Sequence, residues 1–236
     1  MLEFLYKNNS LITHAIEALA AIIGLFCLKK FKGTAAIFFI WLLVYLFVIS
    51  TIGGYPKYYN YFEFLEPLKT TEFKSNLWWY TIFFDVLAVI FFSIIYQKIL
   101  INKKQLLLVK YSTIIFLILS IGSIMMETET LFISCFPSIY ILGAIIIIFC
   151  SGFYFIQILQ NESILTFSKS LYFYISVAIF LWWLIITPLV FYDKYYILED
   201  KNFILVKRSI YIFSNIFMYS TFAIGLIVSK PEHIKE

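Results

Sequence analysis

Seven times along its 236 residues the chain runs for roughly 20 residues with almost no charge, the length an α-helix needs to cross a bilayer. The expected spans are residues 10–28, 34–53, 77–100, 106–126, 131–159, 171–192 and 203–228. With short connections they use up the sequence, so one seven-helix transmembrane domain over residues 1–236 is expected, with no separate soluble domain. Composition agrees: 62% of the residues are hydrophobic, 21% aromatic and only 14% charged, outside the range of soluble domains. The fold class expected is an all-α membrane protein, a seven-transmembrane-helix bundle.

Flanking charge sets the expected orientation. Lys29, Lys30 and Lys32 follow the first run, and Lys103 and Lys104 follow the third. The 2–3, 4–5 and 6–7 connections instead carry Glu63, Glu66, Glu72, Glu127, Glu129, Asp193, Glu199 and Asp200, along with some lysines. That asymmetry predicts the N-terminus outside and the C-terminus in the cytoplasm. Trp78, Trp79, Tyr195 and Tyr196 fall where an outer aromatic belt belongs. The first run carries its positive charges mostly after the apolar stretch, so it is not expected to be a cleaved signal peptide. The loop YPKYYNYFEFLEP reads either as a cap or partner-binding segment, or as one lying on the headgroups. The fifth run is longer than a bilayer needs, which predicts tilt or an extension past the membrane.

Six charged side chains lie inside these runs: Glu17, Asp85, Lys98, Lys110, Lys207 and Arg208. Each costs about 3 kcal/mol or more at the bilayer centre, so each needs a partner or a way out to water. The three lysines are near enough to span ends to reach the surface on their long stems. Counted from the ends of the apolar runs, Glu17 lies about 10 Å deep, Asp85 about 12 Å and Arg208 about 8 Å. Those depths permit an Arg208–Glu17 or Arg208–Asp85 pair. His14 shares a helix face with Glu17, and Asn215 lies deeper in the seventh run. Together His14, Glu17, Asp85, Arg208 and Asn215 form the candidate polar intramembrane site. There the acids would bind a cation or titrate, or else serve as a buried network that fixes helix register. Pro137 and Pro188 are expected to free backbone carbonyls near the same end. Ala18, Ala20, Ala21 and Gly24 would let a neighbour approach the first helix closely.

Several chemistries lack their residues. One histidine within the spans is too few for an intramembrane metal or bis-histidine haem. Cys27, Cys135 and Cys150 lie in apolar runs and read as core thiols. No lysine stands mid-way along the seventh run, and no phosphate loop or dinucleotide fingerprint occurs. The net charge of +4 comes from loop lysines without a basic–aromatic cluster, so nucleic acid is not an expected partner. The protein is not expected to be an enzyme, and no cofactor is expected.

The segments NLWWYTIFFDVLAVIFFSIIYQKILINKK, YILGAIIIIFCSGFYFIQILQNESIL and SLYFYISVAIFLWW resemble a group of uncharacterised bacterial seven-helix inner-membrane proteins. The resemblance implies a membrane-embedded sensory or accessory module and supplies no catalytic residues. The leading expectation is a signalling or accessory protein that detects a small ligand or partner through an outward-facing polar pocket and works through a partner protein. An ion or proton channel, monomeric or a homo-oligomer, using Glu17 and Asp85 is the alternative. Against it, the stretches from Val86 to Ile95 and from Ile22 to Leu28 offer few polar steps. A structural subunit of an envelope complex is the third expectation.

Overall fold

The computed structural model describes residues 2–160, 166–192 and 201–232. Among them it is all-helical, with seven helices long and apolar enough to cross a membrane. In chain order these are α1 (Leu2–Cys27), α2 (Ala36–Gly53), α3 (Leu77–Ile99) and α4 (Lys103–Met126). A short α5 (Thr128–Ile133) follows, then α6 (Pro137–Gln160), α7 (Leu171–Tyr192) and α8 (Lys201–Val228). The connection holding Asp193, Tyr195, Tyr196, Glu199 and Asp200 lies outside the described residues.

Six of the long helices close a ring. α1 packs on α2 and α8, α2 on α3, α3 on α6, α6 on α7, and α7 on α8. α4 sits outside it against α3 and α6. Its buried residues, Val109, Thr113, Phe116 and Ser120, recur every three or four positions, a single helical stripe. Around that stripe Leu107, Leu108, Tyr111, Ile115 and Ile118 stay exposed, as lipid-facing side chains do. The helices antiparallel to one another leave two unlike ends. One holds the 54–76 connection and is called here the aromatic-loop end; the other, with Lys30, Lys98 and Lys103, is the lysine end.

Small residues set the tightest approaches. Ala20, Ala21 and Gly24 of α1 are buried, and a Cβ on Gly24 would stand 3.2 Å from Ile40 of α2. On α8 a Cβ at Gly225 would meet Cβ of Tyr174 on α7 at 2.7 Å. The α1–α8 seam is clasped at the lysine end, where the Lys30 ammonium donates to the carbonyls of Leu226 and Ile227, each at 2.8 Å. These carbonyls end a helix and lack partners within it, and a cation there also suits the helix dipole. Lys98 is at this end too, over the Phe38 ring at 4.4 Å.

Two expectations need correcting. The fifth run is not one long helix: it breaks between Ile133 and Pro137, with Ser134 extended at φ −146° and ψ 171°. Proline starts a helix readily because the first N–H has no partner to lose, and it holds its predecessor out of the α region. Pro137 therefore begins α6 and frees no carbonyl, whereas Pro188 does sit inside α7. The break also exposes Cys135, which is not a core thiol; Cys150 is buried and Cys27 half-buried.

Candidate functional site

α1 is longer than its apolar run and starts at Leu2. Glu17 is consequently 15 residues into the helix, about 22 Å from its first residue, and it is only 5% exposed. Four helices meet around it. The hydroxyls of Ser50 on α2 and Tyr219 on α8 lie within reach of its carboxyl, and Tyr80 on α3 faces both Glu17 and Ser50. Carboxyl oxygen Oε2 has no hydrogen-bond partner among the described residues.

His14, one turn earlier, ties this acid to the surface. Its Nδ1 lies 2.7 Å from the Ser10 carbonyl, so that nitrogen carries the hydrogen and donates. Its Nε2 lies 3.2 Å from the Ser50 carbonyl and 3.4 Å from the Ser50 hydroxyl. A neutral ring accepts from that hydroxyl. The Ser50 hydroxyl thus stands between the imidazole and the Glu17 carboxyl. At the mouth, the Lys57 ammonium donates to the Ser10 hydroxyl, and burial pushes Lys57 below the ordinary lysine range. A continuous polar line thus runs from the loop to the acid through Lys57, Ser10, His14, Ser50 and Glu17.

The loop that carries Lys57 is built on its own hydroxyls. Tyr55 contacts the carbonyls of Phe73 and Ser75 at 2.6 and 2.7 Å, and Asn76 donates to the Gly53 carbonyl at 2.6 Å. The Trp79 indole donates to the Ile49 carbonyl at 2.9 Å, one residue from Ser50. Gly53 is required there, because a Cβ would stand 2.8 Å from the Trp79 ring. Tyr58, Tyr61, Phe62 and Phe64 form an exposed run of neighbouring rings.

Asp85 belongs to a different place. It sits in a π-helical turn, Thr81–Val86, where the Leu87 amide bonds back five residues to Ile82 rather than four. The Tyr45 hydroxyl of α2 donates to the Phe83 carbonyl within that turn at 2.9 Å. Such wide turns are frequent at functional sites. The Asp85 carboxyl is half-buried and lies in electrostatic range of Tyr140 on α6. Among the described residues no hydrogen bond or ion pair reaches it, and the Tyr140 hydroxyl is itself buried without a partner.

The five residues singled out from sequence therefore do not form one cluster. His14 and Glu17 share the first site, while Asp85 defines the second. Asn215 accepts from the Trp182 indole at 2.7 Å and links α7 to α8. Arg208 lies on an exposed face of α8, and no ion pair joins it to either acid. The depth estimate misplaced it: Glu17 meets α8 at Tyr219, eleven residues or about 16 Å beyond Arg208. Ser50, Tyr80, Tyr140 and Tyr219 were missed because a hydroxyl on an apolar run carries no signal until its neighbours are known.

No protein-family model matches the chain, and no curated protein or solved structure is similar to it.

Proposed function

We propose that this chain is a multi-pass protein of the bacterial cytoplasmic membrane, a sensory or accessory module with its N-terminus and aromatic loop outside and its C-terminus in the cytoplasm. The flanking lysines support that orientation, and the resemblance to uncharacterised bacterial seven-helix proteins supports the class. The observation that carries the reading is the line from Lys57 of the loop to Glu17, at the meeting of four helices. An event at the loop, such as a proton, a small cation or a docked partner, changes the hydrogen bonding of His14 and Ser50 and so the packing of α1 on α2 and α8. With short connections at the lysine end, the response passes to a partner protein or a second copy of the chain.

The experiment is a fluorescence titration of the purified protein in nanodiscs between about pH 5 and 8, the range in which histidine environments respond. Trp79, beside Ser50, is the reporter, and Trp79→Phe is the control for the other tryptophans. A transition in the wild type that Glu17→Gln removes is expected, accompanied by pH-dependent cross-linking to a partner in native membranes. A flat wild-type trace with unchanged cross-linking would defeat the reading.

A further inference from the structure

A second polar feature runs through the ring away from Glu17. Three helices turn one face each to a common axis: α3 with Asp85, Val89, Ser93 and Tyr96, α6 with Tyr140, Gly143, Ile147, Cys150 and Tyr154, and α7 with Ser176, Ile179 and Trp183. Their spacings of three and four residues are those of single helix faces. At the lysine end this axis is lined with hydroxyls. Tyr96 and Ser176 are 2.9 Å apart, Tyr154 and Ser170 are 2.8 Å apart, and all four are buried. The Cys150 thiol sits beside Ser93. Of these six groups Cys150 and Tyr154 come from α6, Ser176 from α7 and Ser170 from the residue before α7, so α3, with Ser93 and Tyr96, supplies only part of the axis.

Between Asp85 and this ladder stands an apolar layer. Gly143 lets it close, since a Cβ there would meet Val89 at 3.0 Å and Trp183 at 3.5 Å. Ile147 and Ile179 continue it, both nearly fully buried. The layer is flanked on each side by a buried hydroxyl that bonds no oxygen or nitrogen among the described residues, Tyr140 next to Asp85 and Ser93, with only the Cys150 thiol beside it, at the head of the ladder. Ser93 is 0% exposed, and orphaned groups of this kind are rare unless water reaches them. The eight residues from Asp85 to Ser93 span about 12 Å, a gap that roughly three or four hydrogen-bonded waters at about 2.8 Å each would bridge.

We propose that the α3–α6–α7 axis is a gated proton path, shown closed, with Asp85 as the proton-exchanging group, the Val89–Gly143–Trp183 layer as the gate and the hydroxyl ladder leading to the lysine end. A proton arriving at Asp85 is handed through a transient water file to Ser93. It then moves along Tyr96–Ser176 and Tyr154–Ser170, each hydroxyl accepting one proton and releasing another. No bond other than O–H is made or broken. Apolar constrictions gate by excluding water, so loosening the layer opens the path. This path shares no side chain with the Glu17 line, and it stands or falls separately.

The test is dye-reported proton influx into liposomes carrying the purified full chain, under an imposed potential of either sign. Wild type is expected to exceed protein-free liposomes, and Val89→Ala to exceed wild type about tenfold through the widened layer. Asp85→Asn in the Val89→Ala background is expected to lower influx about tenfold, and Tyr96→Phe several-fold, because each removes an exchangeable proton from the route. Ile118→Ala, on the exposed side of α4, leaves influx at the wild-type rate. Folding of each variant is verified by its elution as a single species and its helical circular dichroism. Absence of influx in both wild type and Val89→Ala overturns the proposal, and so does influx that Asp85→Asn does not change.

Discussion

Glu17 and Asp85 are both acids within apolar helices, and the fold provides for them in opposite ways. Glu17 is surrounded by groups from three other helices, Ser50, Tyr80 and Tyr219, and is connected by His14 to the surface. Asp85 receives no hydrogen bond among the described residues and faces a tyrosine hydroxyl that also has none. What accommodates it is a change in the backbone, the π turn braced by Tyr45. The first acid is integrated into packing and the second is kept apart from it. A group that holds helices together is costly to remove, while one left without hydrogen bonds costs little.

The largest effect expected from this difference is in stability. Glu17→Leu leaves the buried hydroxyls of Ser50 and Tyr219 facing a hydrocarbon side chain and should cost about 1–3 kcal/mol, whereas Asp85→Leu, which removes a carboxyl with no hydrogen bond among the described residues, should cost less than about 1 kcal/mol or stabilise. Reversible unfolding in mixed micelles measures both, and equal losses would erase the distinction. Next in size come the glycines beside each acid. Gly53→Ala drives a methyl into the Trp79 ring at 2.8 Å, and Gly143→Ala meets the end of Val89 at 3.0 Å. Overpacking of this kind costs about 1–3 kcal/mol, and the Gly53 change should be the larger, with a shift in Trp79 emission that Gly143→Ala does not produce.

The smallest effect concerns Lys57. Burial holds its ammonium below the ordinary value of 10.5, so the folded chain binds that proton less tightly than the unfolded chain does. Unfolding then takes up protons, and stability from this residue rises with pH between the folded value and 10.5. Lys57→Gln should flatten the slope of stability against pH in that window. An unchanged slope would detach Lys57 from the Glu17 line.

Most of the architecture was legible because hydrophobic length is a strong signal in a chain that spans a membrane. Five of the seven expected spans agree with their helices to within three residues at both ends, and the first helix starts eight residues before its run. The fifth failed because a continuous apolar run conceals a break that only Pro137 marks. The site was less legible. His14 and Glu17 were found together because i, i+3 spacing is a local property. Arg208 was misassigned because depth was counted from the ends of the apolar runs, and α1 begins at Leu2, well before its run. The π turn has no sequence mark at all: TIFFDV is ordinary helix-forming text, and it takes Tyr45 of another helix to show what the widened turn presents.

The pairing of α1 with α8 also bears on how the protein is made. Glu17 enters the membrane with the first helix, but Tyr219 follows about two hundred residues later, many seconds at ordinary rates of synthesis. Throughout that interval the face of α1 that packs on α8 is uncovered, and the Lys30 clasp has no carbonyls to hold. An unfinished chain therefore leaves Glu17 without the Tyr219 hydroxyl, and a completed one supplies it. Membrane quality control would have in that face a direct sign of whether synthesis has reached its last helix.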